Sequence, residues 1–205
     1  MKAESKYRIS FTTGSLFSRE ALKTVELFFE LNDWSLVKSS ILSQNLLKTR
    51  TQSSLIRTTR ELTQRLRVLT IDQLSILTDG TKQEQNQILW LAVCKQYRFV
   101  REFAIEVIRE KYLRLDFEVS HKDFDIFFNM KAEWNKGLDS TKESTRKKLR
   151  QVLFLIMKEA EIISPANLIL PMLLSSRIVK SIHADNNDYF LIFPITNADL
   201  RIYKE

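Results

Sequence analysis

Apolar residues recur every three or four positions along most of the chain, which is the spacing that keeps one face of an α-helix buried. The first helix is predicted to begin at a Ser18 cap and to cover residues 19–31. Asp33 is the expected cap of a second helix over 34–47, and a polar turn separates that helix from a third over 53–69. Three short helices with tight turns, the last one basic, are typical of a helix-turn-helix unit.

The middle of the chain is strongly apolar, and residues 82–113 predict two further helices. Ser120 and Asp123 resemble a capping box, in which two side chains bind each other's backbone N–H groups at the start of a helix. The expected buried positions of that helix are Phe124, Phe127 and Phe128.

A long helix is predicted after the clearest break in the chain, which lies around Gly137. The S-x-x-E pattern of Ser140 and Glu143 predicts a second capping box at its start. Its apolar stripe is formed by Leu149, Val152, Leu153, Ile156 and Ala160.

The C-terminal part combines short strands with a helix. Residues 167–170 and 188–195 are typical of strands, and residues 171–182 predict a helix with Pro171 in its first turn. These elements lead us to expect a winged-helix-like segment over 120–205 that contains a short two-stranded β element.

The predicted fold class is mainly α, because 205 residues with only three glycines and three prolines contain too few turn residues for a β-rich fold. We expect two units. The first, residues 1–78, is a helix-turn-helix-like domain, and the second, residues 79–205, is a helical C-terminal domain that contains the winged-helix-like segment.

Charge is unevenly distributed along this chain of net charge +7. Residues 1–70 have 12 basic and 6 acidic side chains, residues 71–135 have 9 and 11, and residues 136–205 have 11 and 8. Basic ends around an acidic middle favour a polyanion as the partner of the basic regions.

The third helix has two opposed lines of side chains when it is placed on a helical wheel. Its apolar line is Leu55, Thr59, Leu62, Leu66 and Leu69, and its polar line is Ser53, Arg57, Arg60, Gln64 and Arg67. Arginine pairs with guanine and glutamine with adenine in the major groove, and the N-terminal half of a recognition helix does most of the reading. We therefore expect Ser53, Arg57 and Arg60 to contact bases. Phosphate contacts are expected from Gln64, Arg67, Lys48 and Arg50.

Two observations favour this hypothesis over a charged face that meets only solvent. The helix is the third of three, where a recognition helix belongs. We also expect it to lack the i,i+4 acidic partners that neutralise ordinary exposed helices.

A second basic cluster begins the long helix of the C-terminal part. Its candidate DNA-contacting residues are Lys142, Ser144, Arg146, Lys147 and Arg150. Arg177 and Lys180, from the helix that follows, are candidates for further phosphate contacts. A solvated helix packed by its leucine stripe is the alternative for this cluster.

Motifs of catalysis are missing, so we expect no enzyme, cofactor or metal site. The sequence contains no G-x-x-x-x-G-K-[ST], G-x-G-x-x-G or G-x-S-x-G pattern. Two histidines, His121 and His183, and one cysteine, Cys94, are too few for a usual zinc site. We expect Cys94 to be a buried small hydrophobe, because it lies in the apolar run "ILWLAVC".

We expect a cytoplasmic protein without membrane association. The N-terminal "MKAESKYRIS" lacks the apolar core of a signal peptide, and no apolar run approaches the roughly 20 residues that span a bilayer. A single cysteine fits a reducing compartment.

Double-stranded DNA is the expected partner, and RNA remains an alternative. The sequence has neither an RNP-like aromatic strand nor a G-x-x-G loop, which are features of common RNA-binding modules. A third hypothesis is a protein-interaction adaptor whose basic faces bind acidic partner surfaces.

Several stretches together resemble the BrxA family of BREX (bacteriophage exclusion) defence systems across nearly the whole chain. They include "FTTGSLFSREALKTVELFFELNDW", "ILSQNLLKTRTQSSLIRTTRELTQRLRVL", "STRKKLRQVLFLIMKEAEII" and the terminal "YFLIFP".

The resemblance implies a small, mostly helical, non-enzymatic component of a bacterial phage-defence island. Its implied partners are the DNA methyltransferase, phosphatase-like protein and ATPases that are encoded beside it. The family has been likened to the RNA-binding antitermination protein NusB, and DNA binding has been described for it. It provides no catalytic residues, and the contact residues named above come from the wheel and charge argument.

Overall fold

The computed structural model describes residues 7, 9–11 and 14–204, so most of the polar N-terminal stretch lies outside the described residues. The described chain is mainly helical, as predicted. Its α-helices are α1 (Ser18–Leu31), α2 (Trp34–Gln44), α3 (Gln52–Leu66), α4 (Ile71–Asp79), α5 (Lys82–Gln96), α6 (Arg98–Phe103), α7 (Glu110–Leu113), α8 (His121–Glu133), α9 (Lys136–Asp139), α10 (Glu143–Glu159), α11 (Ser176–His183) and α12 (Asn197–Lys204). A π-helical segment, Ala104–Arg109, joins α6 to α7, and a 3₁₀ helix, Asn187–Ile192, precedes α12. None of these helices is long and apolar enough to cross a membrane.

Helix α5 is the centre of the core. Every residue from Asn86 to Cys94 is buried, so the C-terminal part of α5 is covered on all sides. Helices α1, α3, α4, α6, α10 and α11 and the 3₁₀ helix all contact it. Trp90 Nε1 donates a hydrogen bond to the carbonyl of Ile192 over 3.0 Å, which joins α5 to the C-terminal part. The prediction that Cys94 is a buried hydrophobe is confirmed.

The three predicted N-terminal helices are present, but α2 ends at Gln44 and α3 at Leu66, three residues before their predicted ends. Asp33 Oδ1 accepts hydrogen bonds from the N–H groups of Ser35 and Leu36, so its predicted capping role is confirmed. The predicted Ser18 cap is wrong, because Phe17 is the cap residue of α1 and makes no side-chain capping bond. Its backbone is left-handed (φ 60°), and this conformation turns the chain into α1.

The two helices predicted over 82–113 are present as α5 and as the continuous run from α6 to α7. The capping box of Ser120 and Asp123 is also confirmed. Phe124, Phe127 and Phe128 are buried, as expected. They surround Phe99, whose ring centroid lies 5.2–5.9 Å from theirs.

The start of α10 differs from the prediction. The residues around Gly137 form the short helix α9, capped by Asn135, and Ser140 is the residue that ends it. Ser140 Oγ donates to the carbonyl of Gly137 and accepts no capping bond from the N–H groups of α10. Helix α10 begins after Lys142 without a side-chain cap, so the predicted capping box of Ser140 and Glu143 is wrong.

The predicted two-stranded β element is not present in the part of the chain that the structure describes. Residues 187–192 form a 3₁₀ helix, because this apolar run buries Phe190 and Ile192 against α5 and α11. Residues 167–170 form only isolated bridges, Glu118 with Leu168 and Ile163 with Ile169. The winged-helix-like segment predicted for 120–205 therefore lacks the strands of a wing in the described chain.

Two further predictions concern the start of α11 and the boundary between the two expected domains. Helix α11 begins after its cap residue Ser175, and residues 170–174 are non-helical. The predicted start near Pro171 is therefore wrong. The predicted boundary between residues 78 and 79 lies at the end of α4. The division into two domains stays a prediction.

Candidate nucleic-acid interface

Helix α3 begins after the cap residue Thr51, whose hydroxyl accepts a hydrogen bond from the N–H of Ser54 over 3.2 Å. From there the helix separates its side chains as the wheel predicts. The five residues of the apolar line are all buried: Leu55, Thr59, Leu62, Leu66 and Leu69. This line packs against the core and fixes the orientation of the opposite line.

The polar line of α3 faces solvent. Ser53, Arg57, Arg60 and Arg67 are exposed, and Gln64 is half-buried. Lys48 and Arg50 in the preceding turn are exposed as well. Within the described chain, no carboxylate lies within 4 Å of the cationic groups of the five basic residues in this set, which are Lys48, Arg50, Arg57, Arg60 and Arg67.

Glu61 explains why no carboxylate neutralises the positive charge of this face. It lies four residues from both Arg57 and Arg65, so the expectation that α3 has no i,i+4 acid partner is wrong. Its side chain turns inward, where Oε1 is 2.7 Å from Arg65 Nε and accepts a hydrogen bond from the Tyr97 hydroxyl over 2.6 Å. Arg57 is left without a carboxylate partner in the described chain.

Arg65 is a structural residue, although it is one of the basic residues of this region. It is 3% exposed, and its Nη1 donates to the carbonyl of Ser15 over 2.8 Å. Its guanidinium also lies over the rings of Phe17 and Tyr97. The sequence signal for this role is the i,i+4 pair with Glu61 next to the leucine line.

The turn before α3 is organised by Asn45, which ends α2 in a left-handed conformation (φ 47°). Its side chain donates to the carbonyl of Thr49 and accepts from the N–H of Thr49, both over 3.0 Å. Lys48 also has a left-handed backbone (φ 52°), which costs a non-glycine residue about 1 kcal/mol. The turn therefore holds Lys48 and Arg50 at fixed places beside the N-terminus of α3.

The basic surface extends onto α1, although no residue of α1 was predicted to belong to the site. Arg19 and Lys23 line a shallow depression together with Lys48. Both are exposed, and they lie four residues apart on the polar face of α1. Their spacing on α1 was visible in the sequence, but their proximity to Lys48 depends on how α1 packs against the turn.

We call the exposed basic side chains of α1, the turn and α3 the α3 basic surface; its members are Arg19, Lys23, Lys48, Arg50, Arg57, Arg60 and Arg67. Acids also lie beside its α1 part, where Glu20 lines the depression of Arg19, Lys23 and Lys48, and Glu26 and Glu30 line a neighbouring pocket. Asp33 lies near Arg67. Two backbone N–H groups, and to a smaller extent Arg67, lower the pKa of Asp33 below its usual value.

The second basic cluster is arranged differently. Arg146 and Arg150 turn toward α8, where both guanidinium groups pair with the carboxylate of Asp125. Arg146 Nη1 also donates to Asn129 over 2.7 Å, and the guanidinium lies over the ring of Phe128. These two arginines hold α10 against α8.

The other members of the cluster point to solvent. Lys142 and Ser144 are exposed, and Lys147 pairs with Glu143 over 2.7 Å on the exposed face of α10. Arg177 pairs with Asp79 of α4 over 2.6 Å, and Lys180 is exposed beside it. The structure thus brings Arg177 and Lys180 together with α4.

Comparison with known proteins gives the family of this chain. The family model for BrxA matches residues 5–186. The chain belongs to the BrxA family. A relative from Bacillus cereus (strain H3081.97), named "BREX protein BrxA", is 27% identical over 124 residues. That alignment covers 60% of this chain and 62% of the relative.

A solved structure has the same fold as this BrxA family member. The crystal structure of an uncharacterized protein from Magnetospirillum magneticum superposes with a TM-score of 0.77 at 20% identity. The match covers 92% of this chain and 97% of the other. At this identity the likeness supports the fold alone.

The residues with metal-binding or nucleophilic side chains do not converge in the described part of this family member. No group of three or more His, Cys, Asp or Glu side chains in that part could hold a metal ion. His183 is hydrogen-bonded to Asn187 over 2.7 Å, and His121 packs edge-on against Phe154. Burial raises the pKa of the Cys94 thiol well above its usual value.

Proposed function

We propose that this BrxA family member is a non-enzymatic DNA-binding component of a bacterial BREX phage-defence system, and that it contacts duplex DNA through the α3 basic surface. Family membership and the relative named as a BREX protein support the cellular role. The methyltransferase, the phosphatase-like protein and the ATPases of such a system are its proposed partners.

The observation that carries the DNA-binding proposal is the missing charge compensation on α3. Exposed arginines on a helix are usually accompanied by acids three or four residues away, which weaken their attraction for an anion. Here the one acid of α3 is buried with Arg65. The remaining cations face solvent together. When a polyanion binds such a surface, the counterions condensed on it are released, and this release favours binding.

The helix-turn-helix mode divides the surface into two roles. Ser53 and Arg57 lie in the N-terminal half of α3 and Arg60 lies just past its middle, and these three side chains would enter the major groove. Lys48 and Arg50 of the turn, and Gln64 and Arg67 further along, would contact the sugar-phosphate backbone. Arg19 and Lys23 extend the backbone contact onto α1.

The second basic cluster would supply a smaller part of the footprint. Lys142, Ser144, Lys147 and Lys180 are its exposed members. Arg146, Arg150 and Arg177 are already paired with carboxylates, so a phosphate would have to displace those partners. We therefore propose that removal of these three arginines changes DNA affinity less than removal of arginines on α3.

A competition experiment tests whether duplex DNA is the ligand. A fluorescent duplex bound to the full chain is challenged with unlabelled duplex DNA, single-stranded DNA and structured RNA of equal length over a salt series. The proposal predicts that duplex DNA competes best at every salt concentration. Stronger competition by structured RNA would favour the RNA-binding alternative, and no duplex binding at low salt would contradict the proposal.

A further inference from the structure

A groove on another part of the molecule has a different chemistry from the α3 basic surface. It lies between α8 and the run formed by the π-helical segment and α7. Its lining includes Glu106, Val107 and Glu110 from that run and Ile126, the buried Phe127 and Met130 from α8. We call this feature the acidic groove.

The two walls are antiparallel helices that ion pairs hold at both ends. Lys131 Nζ is 2.7 Å from Glu106 Oε1, and Lys111 Nζ is 3.7 Å from Asp123 Oδ1. The groove runs from Glu106 to Arg114, which is roughly 12 Å or two helical turns. Glu106 and Val107 belong to the π-helical segment, a deviation that occurs frequently at functional sites.

The apolar wall is exposed although its residues are large. Ile126 is 58% exposed and Met130 is 43% exposed, and they lie four residues apart on one side of α8. Leu115 follows the groove residue Arg114 and is 77% exposed. Large exposed apolar side chains that line a groove, here Ile126 and Met130, are typical of a surface that binds another macromolecule.

The charge of the acidic groove opposes that of the protein as a whole. Four carboxylates line it (Glu106, Glu110, Asp116 and Asp123) against the lining cations Lys111 and Arg114 and the flanking Lys131, which pairs with Glu106, so the groove has one net negative charge in a chain of net charge +7. The pair between Arg114 and Glu110 is long, at 3.7 Å, and the two side chains are 77% and 45% exposed. Such a pair contributes little, so Glu110 can exchange Arg114 for a cation of a partner.

We propose that the acidic groove binds a basic amphipathic helix of a partner protein. Apolar side chains at i, i+4 and i+7 of that helix would pack on Ile126, Met130 and Val107, as in other helix-in-groove interfaces. Its lysine and arginine side chains would lie over Glu106 and Glu110. The charge of the groove favours this occupant, because Glu106 and Glu110 are partly exposed and the groove keeps a net negative charge after pairing with Lys131, Arg114 and Lys111, which would repel an acidic helix. The inference does not rest on DNA binding.

Synthetic peptides test the proposal with the full chain. The first is a fluorescent helical peptide with leucines at i, i+4 and i+7 and lysines on both sides of them, and the second has glutamate in place of every lysine. Fluorescence anisotropy should show saturable binding of the lysine peptide. The glutamate peptide should bind at least roughly tenfold more weakly.

Two isoleucines of equal exposure provide a matched pair of variants. Ile126 lies in the acidic groove and Ile71 lies at the start of α4, and each is 58% exposed. Ile126→Lys should weaken binding of the lysine peptide roughly tenfold or more, and Ile71→Lys should leave it within about twofold. Glu110→Lys gives an independent readout should Ile126→Lys not fold, because it should shift the preference toward the glutamate peptide.

Several results would overturn the proposal. They are the absence of saturable binding up to about 1 mM lysine peptide, equal binding of the two peptides, or equal effects of Ile126→Lys and Ile71→Lys. Self-association of the wild-type chain that Ile126→Lys abolishes would overturn it in favour of a second copy of this chain as the occupant. Sedimentation velocity over a concentration series measures that outcome.

Discussion

Glu61 determines which arginines of α3 are structural and which remain on the surface. Arg57 and Arg65 are equally distant from it along the chain, but Arg65 lies beside the buried leucine line and Arg57 lies opposite to it. The interior offers Glu61 two hydrogen-bond donors, Arg65 Nε and the Tyr97 hydroxyl. A buried carboxylate needs such partners to offset its lost hydration. The same contacts keep the acid away from the exposed face.

Removing the Glu61 carboxylate should destabilise the fold. Glu61→Ala leaves the Arg65 guanidinium buried without its counter-ion, which typically costs about 3–5 kcal/mol of unfolding free energy. Urea denaturation followed by circular dichroism measures the change. Glu26→Ala, at an exposed position of α1, is the control and should change the unfolding free energy by less than about 0.5 kcal/mol. Similar values for both variants would contradict the buried role of Glu61.

Cys94 should be unreactive in the native protein. It is fully buried in α5, and burial raises the pKa of its thiol, so almost no thiolate reaches a reagent. A chromogenic disulfide reagent should label it only after denaturant is added. Rapid labelling of the folded chain would show that α5 is accessible.

At the scale of elements, the sequence predicted best where the decisive contacts are local. The caps at Asp33 and Ser120 depend on residues two or three positions away, so their sequence patterns were sufficient. Ser140 had the same pattern, but it is the C-cap residue of α9, and Lys142 takes the N-cap position of α10.

Non-local contacts explain the other differences. Residues 188–195 are apolar without a clear period, and such a run suits a strand or a buried helix equally well. Its conformation depends on Trp90, about 100 residues earlier, whose indole N–H binds the carbonyl of Ile192. In the candidate site, the approach of Arg19 and Lys23 to Lys48 likewise depends on packing between helices.

Glu102 of α6 contacts Tyr7 of the N-terminal segment and Lys131 of α8, and these contacts should make stability depend on pH. Burial alone would raise the pKa of Glu102, but hydrogen bonds from Tyr7, Lys131 and Arg98 outweigh it and hold the pKa below its usual 4.5. A depressed pKa stabilises the folded state above about pH 4.5, and this contribution is lost as the pH falls through the folded-state pKa. The unfolding free energy should therefore fall below pH 4.5 more steeply in the wild type than in Glu102→Gln. If urea denaturation gave parallel profiles of unfolding free energy against pH for the two proteins, the contacts of Glu102 would contribute nothing to stability.

At the scale of the molecule, the structure separates two kinds of charged surface. The α3 basic surface presents cations without carboxylate partners in the described chain, and the acidic groove presents carboxylates beside an apolar strip. Opposite charges on separate faces allow one protein to hold DNA on one side and a basic partner helix on another. Both roles are proposals, and each is tested by its own set of variants.

DNA binding through this surface should depend strongly on salt. Each phosphate that a side chain neutralises contributes about −0.9 to the slope of log affinity against log salt. Five such contacts, from Lys48, Arg50 and Arg67 and from Arg19 and Lys23 of α1, predict a slope near −4.5, which is a roughly 500-fold loss between about 50 and 200 mM salt. Fluorescence anisotropy at several salt concentrations gives the slope. A slope near zero would mean that phosphate contacts do not hold the complex.

The most direct test of the central claim is duplex binding by Arg57→Ala/Arg60→Ala beside Arg114→Ala/Arg201→Ala. Both double variants remove two exposed arginines, so their net charges are equal, and only the first alters α3. The account predicts that the α3 variant loses roughly 30-fold or more in affinity at moderate salt, because each base-reading arginine contributes about 1–3 kcal/mol. The other variant should change affinity by less than about threefold. Equal affinities for the two variants would contradict the claim that α3 is the DNA-contacting helix.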